Sequence, residues 1–420
     1  VINMTQTNFP KDVVVEFNDM VESFEDDTIL TKAVKVKSSP AQQQQRTAYK
    51  SWQNTPQISR TVSGLDITSS LGKAITQLAI PVDIDTIENV TFTIDAQDAN
   101  DPMAIKGKIR SAGAALGSLI NTSINNTVLF EGGAFVGQSG ALATYNDIVA
   151  YENALLRRGV PETSIKSLFL NLKDHGTVSG NIADRQTMGN KVLSAYERSL
   201  VSDAANFDVF RTGSAPTLVL GGGSAATVDG AQSLVPAANQ ATSKGNVENL
   251  DNRFFDLTVD TSASWKAGDR FTAGVNEVHM VNKLDTGNLQ VFTVVEVLSG
   301  TSMKISPAPV NVAGATDVEK EYGNVTAALA DTAALVIVNT ATAQTNVFWE
   351  NDSIQLNAGN LSVGDLSGVG VMNVNSESGI QFILANEGTL GDLSNAYRLT
   401  AFWGVTLIDP LRAGIGLANQ

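Results

Sequence analysis

The segment NDPMAIKGKIRSAGAALGSLINTSINNTVLF, residues 100–130, constrains the fold more than any other stretch of the chain. Ile105, Ile109, Leu116, Ile120, Ile124 and Val128 recur at spacings of four or seven, which puts them on one face of a helix. Asp101 can cap its start, and Pro102 fits the first helical position, where a missing N–H costs nothing. At about 1.5 Å per residue this helix is roughly 40 Å long. That is long for a globular enzyme. Gly107, Ala112, Gly113, Ala114, Gly117 and Ser118 weaken its propensity and allow close approach by other backbones.

Other segments read more locally. Residues 11–30 put Val13, Phe17, Met20, Val21 and Phe24 on one helical face, with Glu16, Asp19, Glu22, Glu25 and Asp26 largely elsewhere. This acidic helix can pack on its own domain or serve as a docking arm for a basic partner. After the polar run 38–45, the stretches 46–64 and 73–85 suggest a long two-stranded loop, which has little core of its own and needs a neighbour to lie on. Helices are expected at 144–160 and 189–201, and a buried strand at 165–172. From about residue 223 short strands succeed one another: Phe255, Leu257 and Val259 alternate, 289–297 alternates, and Met303 and Ile305 follow a turn at 299–301. WKAGDRF (265–271) reads as strand–turn–strand with Gly268 in the turn. The spacing predicts a small antiparallel barrel or sandwich inserted into the chain. The end, AYRLTAFWGVTLIDPLRAGIGL, reads as a strand pair with Pro410 between.

Composition narrows the chemistry. At 420 residues, two or three domains are the prior, and 43% hydrophobic content supplies ample core. With no cysteine there is no disulfide, thiolate metal site or cysteine nucleophile. The two histidines, His175 and His279, lie too far apart in sequence for a metal motif and read as ordinary structure. A net charge of −15 without a basic run disfavours direct reading of nucleic acid. No stretch nears the ~20 apolar residues that cross a bilayer. The opening VINMTQTNFPKDVVVEF lacks the features of an export signal, and either Val1 or Met4 can be the true start.

Two motifs could carry catalysis. In TLVLGGGSAA, Gly221, Gly223 and Ala226 satisfy a dinucleotide fingerprint after an apolar strand. The following residues contain Gly230 and Pro236 where the pyrophosphate helix should run, so a glycine junction between domains is the favoured reading. Glu350 with Asp352, or Asp256 with Asp260, could be paired as acid and base, but nothing aims a nucleophile or cation at them. No enzyme, cofactor or metal is expected.

NVENLDNRFFDLTV, WKAGDRFTAGV with VFTVVEVLSGTSMKISPAPV, TNVFWENDSIQL and YRLTAFWGVTLIDPLRAGIGL resemble the major capsid (coat) proteins of tailed double-stranded DNA bacteriophages, of the short-tailed Salmonella phage type. QRTAYKSW and the long helix from Pro102 extend the resemblance to the N-terminal half in order and length. It implies an α+β, Hong Kong 97-like phage capsid fold: an N-terminal arm (1–45), an extended loop (46–89), a peripheral domain with a spine helix (90–137 and 394–420), an axial domain (138–222 and 345–393) and an inserted antiparallel β-barrel domain (223–344).

The function implied is self-assembly, as hexamers and pentamers, into an icosahedral shell enclosing phage double-stranded DNA without sequence-specific binding. Scaffolding protein and portal protein are the implied partners, the virion the implied location, and the host cytoplasm the place of assembly; no membrane is involved. Glu16, Asp19 and Glu22 are the implied contacts to a basic scaffolding segment. Lys244 and Glu248 are the candidates in a loop that reaches neighbouring capsomers. That loop, 238–249, departs from the family in being less acidic, so either another pairing or a decoration protein steadies the contact. The alternatives are a nanocompartment shell of the same fold, or an enzyme binding a nucleotide at the 221–226 glycine loop.

Overall fold

The computed structural model describes residues 11–27, 29–38, 47–52, 76–95, 102–140, 143–184, 199, 201–219, 221–222, 225–241, 247–262, 264–359, 369–376, 379–389 and 394–420. The chain divides into two compact units. Val1–Ala48, Val82–Ile124 and Ile354–Thr406 make the first, and Tyr49–Pro81, Asn125–Ser353 and Leu407–Gln420 the second.

In the first unit, helix α1 (Lys11–Asp27) follows from its one-sided apolar pattern, and Val13, Phe17, Met20, Val21 and Phe24 are all buried. Phe24 meets Phe382 edge-on, 4.7 Å between ring centroids. Helix α2 (Pro102–Glu131) starts at the expected proline, and its residues to Ile124 belong to this unit. Ile105, Ile109, Leu116, Ile120, Ile124 and Val128 are all buried, as their spacing requires. The Met20 side chain of α1 occupies the place where a Cβ on Gly113 of α2 would stand, so a larger residue there would make that methionine move. A six-stranded sheet completes the unit in the order Lys35–Ser38, Ile354–Ala358, Ser394–Leu407, Gln381–Thr389, Gly370–Asn375, with Thr86–Asp95 also paired to Ser394–Leu407. That last pairing is antiparallel, from Thr86 opposite Trp403 to Asp95 opposite Ser394.

The second unit holds two larger sheets. One has seven strands in the order Ala134–Gly137, Ala413–Leu417, Ala343–Glu350, Lys166–Asn171, Phe207–Thr212, Asp203–Ala204, with Thr217–Leu218 paired to Ala343–Glu350. Every residue of Lys166–Asn171 is buried, so its apolar centre, Leu168, Phe169 and Leu170, runs without alternation between polar ends. Helix α3 (Tyr145–Arg157) opens with a capping box between Thr144 and Asp147. Helix α4 (Leu172–Ala183) is capped by Asn171, whose side chain accepts the Asp174 N–H. Stacked rings form the core here: Tyr151 on Phe348 at 5.0 Å, and Phe169 between Phe210 at 4.9 Å and Trp349 at 4.8 Å.

The other sheet is antiparallel throughout, in the order Ala226–Thr227, Ala334–Ile337, Arg270–Val278, Asp285–Ser299, Ser302–Ser306, Phe255–Thr258. An isolated bridge between Val228 and Val259 joins the ends of its two outermost strands. Leu257, Val259, Phe271, Phe292, Met303 and Ile305 fill its core, with Trp265 edge-on to Phe271. The short helix α5 (Asp317–Tyr322) lies between the fifth and last-entering strands in sequence and is fixed by a capping box of Thr316 and Glu319.

Two sequence expectations are corrected. In WKAGDRF, Trp265 N–H donates to Ser262 O at 3.0 Å and Lys266 N–H to Asp269 Oδ2 at 2.9 Å, so 265–268 is turn and only the residues from Arg270 are strand. Gly268 does sit in that turn, at φ +92. The terminal strands Ser394–Leu407 and Ala413–Leu417 do not pair with each other; they belong to separate sheets. The 3-10 turn Pro410–Arg412, capped by Asp409, redirects the chain between them. The helix expected at 189–201 falls almost entirely outside the described residues, as does the middle of the expected loop, 53–75.

Candidate functional site

Among the described residues, the features that could act on other molecules are elements and their anchorages. On α1, Glu16 is turned inward. Its Oε1 pairs with Lys106 Nζ of α2 at 2.8 Å, its side chain is 16% exposed, and its Oε2 is buried without a hydrogen bond. Asp19 is half-buried and Glu22 exposed. The three acidic candidates therefore do not form one open patch. In the loop 238–249, strands Asn239–Ala241 and Val247–Asn249 pair, with Gln240 opposite Glu248, while Lys244 lies outside the described residues.

The expected two-stranded loop has a well-defined root. Thr47–Ser51 pairs with Ala79–Asp83. Beyond the ribbon, Trp52 N–H donates to Leu78 O at 2.9 Å and Gln77 Nε2 to Trp52 O at 2.7 Å. Tyr322, at the end of α5, donates from its hydroxyl to Thr76 O at 3.0 Å and accepts the Leu78 N–H at 3.2 Å. Its ring lies 5.3 Å from that of Trp52.

At the other end of the antiparallel sheet, side chains converge on the C-terminus of α2. That helix carries no basic residue in its last turn, so its final carbonyls have no local cation to answer the dipole. Arg270, fully buried, donates to Leu129 O at 3.0 Å, Gly132 O at 2.8 Å and Ala134 O at 3.3 Å. Thr293 Oγ1 donates to Gly132 O at 2.9 Å, and Ser306 Oγ to Glu131 O at 2.6 Å. Burial first, and the neighbouring Arg158 guanidinium second, lower the Arg270 pKa to about 9, which leaves it charged at neutral pH. Next to this socket, Arg158 Nε bonds Glu277 at 2.9 Å and its Nη atoms reach Leu411 O and Gly133 O, while Arg157 also pairs with Glu277. Sequence reading missed this cluster, because Arg270 sits 141 positions from Leu129.

The Glu131 carboxyl shows how tightly these charges are committed. Arg253 stands 3.8 Å from it, yet that guanidinium already bonds Asp251 through Nε and Nη2 at 2.7–3.2 Å and Leu407 O at 2.5 Å. Glu131 Oε2 is buried with no hydrogen bond. Burial outweighs the attraction of Arg253 and pushes its pKa up to about 7.

The motifs weighed for catalysis are occupied by the fold. Gly221 N–H donates to Asn339 O at 3.0 Å, and Gly222 N–H to Asp269 Oδ2 at 3.2 Å, so a carboxylate of the chain stands where a phosphate would need that amide. A strand, Ala226–Thr227, follows in place of the helix that a dinucleotide site requires. Glu350 is paired with Arg412 at 2.7 Å. Asp260 accepts the Thr227 and Thr261 N–H groups at 2.8 and 2.7 Å, which holds its carboxyl below the usual range. His175 is buried in α4, with its pKa lowered by burial and by Arg211, and His279 Nδ1 accepts the N–H groups of Val281 and Asn282 in a turn. Among the described residues no three His, Asp or Glu side chains are placed to hold a metal, and no helix is long and apolar enough to cross a membrane.

Comparison with known proteins gives several structural likenesses and one family match. The solved capsid of the cyanophage P-SCSP1u is similar over 93% of this chain and 88% of its own, at 9% identity and a TM-score of 0.44. The mature capsid of bacteriophage PhiM1 is similar over 92% of this chain and 86% of its own, at 11% identity and a TM-score of 0.44. The CUS-3 coat protein I-domain shares 38% identity over 28% of this chain and 96% of its own, with a TM-score of 0.23. The family described as "P22 coat protein - gene protein 5" matches residues 4–419. The chain belongs to the P22 coat protein family and is a structural protein, the major capsid protein of an icosahedral phage shell.

Proposed function

We propose that this subunit, of the short-tailed Salmonella phage type, builds with a scaffolding protein and a portal protein the shell that encloses double-stranded DNA in the virion, with assembly in the host cytoplasm. The match of the family over residues 4–419 carries this reading. Repetition supplies the energetics: each contact between copies is shallow and reversible, and closure sums many of them. Residues 1–45 act as the N-terminal arm, 46–89 as the extended loop, 90–137 with 394–420 as the peripheral domain, and 138–222 with 345–393 as the axial domain.

Residues 223–344 are then the inserted antiparallel β-barrel. In support, hydrogen bonds from Asp229 N–H to Thr258 O at 3.1 Å and from Asp260 N–H to Thr227 O at 3.0 Å flank the Val228–Val259 bridge that joins the outermost strands. Asp19 and Glu22 are the more accessible acidic contacts for a basic scaffolding segment, with Glu16 behind them. The 238–249 loop, with Lys244 and Glu248, meets neighbouring capsomers, alone or beneath a decoration protein.

Electron microscopy of the full chain co-expressed with the scaffolding and portal proteins of its phage tests this. Closed shells of uniform diameter are expected. Solitary subunits or open aggregates would overturn it.

A further inference from the structure

The root of the two-stranded loop is held by one side chain in a way that the loop's own sequence does not provide. A ribbon of two strands buries little and has no fixed angle of its own, so its direction is set by what grips its base. Here the grip belongs to Tyr322. It is 7% exposed, and its hydroxyl uses its proton on Thr76 O and a lone pair on Leu78 N–H, two residues apart just before the returning strand. Trp52, directly after the outgoing strand, is tied to Leu78 by its backbone and lies against the Tyr322 ring. Both legs of the loop thus share one anchor.

The anchor is itself rigid. Helix α5 is closed at its start by the Thr316–Glu319 capping box, with Glu319 Oε2 accepting from Thr316 Oγ1 at 2.7 Å and from Thr316 N–H at 2.9 Å. Two residues after Tyr322, the Asn324 side chain accepts the Val310 N–H at 2.9 Å and donates to Ala308 O at 2.8 Å. Leu78, Val310 and Tyr322 form a small apolar cluster joined by Trp52 and Leu234.

We propose that Tyr322 is a positioning residue that sets the direction in which the 46–85 loop leaves its subunit, and hence how that loop meets a second copy of the chain. This rests on reading 46–85 as a loop that lies across a neighbouring subunit. The antiparallel sheet region then has a task in assembly beyond its own contacts: it aims the limb of its own chain.

Tyr322→Phe tests it in the full-length subunit. The substitution keeps the ring against Trp52 and removes only the hydroxyl. Losing one buried and one part-buried hydrogen bond should raise native-state trypsin cleavage after Lys50, in the strand Thr47–Ser51, on the order of tenfold, measured well below the unfolding midpoint, with the global midpoint little changed. Closed-shell formation with scaffolding protein should slow in parallel, and Tyr322→Leu, which also removes the ring, should slow it further. Wild-type cleavage rate and wild-type assembly in Tyr322→Phe would overturn the proposal. If the unsubstituted chain itself forms no shells, the capsid reading fails instead, and the cleavage rates still decide whether Tyr322 holds the root.

Discussion

Glu131 is the last residue of α2, where the helix dipole is already negative, and Arg253 is neutralised by Asp251 before it can serve Glu131. The charges nearest its carboxyl are Arg253, Asp251 and Lys304, and Arg270 binds the carbonyls on either side of it. With a folded-state pKa of about 7 against an ordinary value of 4.5, the folded subunit keeps a proton that the unfolded chain has released between those two values. The stabilisation is therefore fully present below the lower value and is lost as pH rises through the upper one. Its size is about 2–3 kcal/mol once partial exposure of the side chain is allowed for. Urea unfolding of unassembled subunits should show the difference between wild type and Glu131→Gln shifting by that amount from pH 5 to pH 8. A difference that stays constant with pH would show that Glu131 does not titrate near neutrality. None of this was legible in the sequence, where Glu131 is one acidic residue after an apolar run and its neighbours lie more than a hundred positions away.

At the scale of elements, legibility followed periodicity. Helices α1, α2 and α3 and the strands between 255 and 306 were readable because one face of each is buried, and burial imposes a period of 3.6 or 2 on the residues that make it, whereas Lys166–Asn171, buried on both faces, was marked by its unbroken apolar centre. The turn at 265–268 was misread as part of a strand because its partners, Ser262 and Asp269, act through backbone and carboxylate groups that leave no period. Pairing was equally hidden: the strands on either side of Pro410 are adjacent in sequence and belong to separate sheets. For α1 the same period that marks the buried face says nothing of a charged residue at its margin. Glu16 bonds Lys106 across that margin, so Glu16→Ala should lower the unfolding midpoint by the equivalent of about 1 kcal/mol or less. Asp19→Ala with Glu22→Ala should leave the midpoint unchanged and weaken binding of a basic scaffolding segment in a salt-sensitive way. Full, salt-independent binding by that double variant would remove both residues from the interface.

At the scale of the whole molecule, the antiparallel sheet region has a core cluster of its own, yet it commits three side chains to the end of a helix outside its own sequence span. Arg270, Thr293 and Ser306 satisfy carbonyls between Leu129 and Ala134. A buried arginine is costly unless its donors are used, so the same residue should have opposite value in two contexts. In the full chain, Arg270→Met strands the helix-end carbonyls and should cost about 3 kcal/mol in urea unfolding. In a fragment of residues 223–344, those carbonyls are absent and the Arg270 guanidinium has lost the acceptors of its Nη atoms. There the methionine should be neutral or stabilising, provided the fragment shows a cooperative transition of its own. A loss of equal size in both contexts would mean that Arg270 acts within the sheet alone. A reversal of sign would mean that the sheet and the end of α2 are built as one joint, with the sheet region's stability in isolation set below its stability in the subunit.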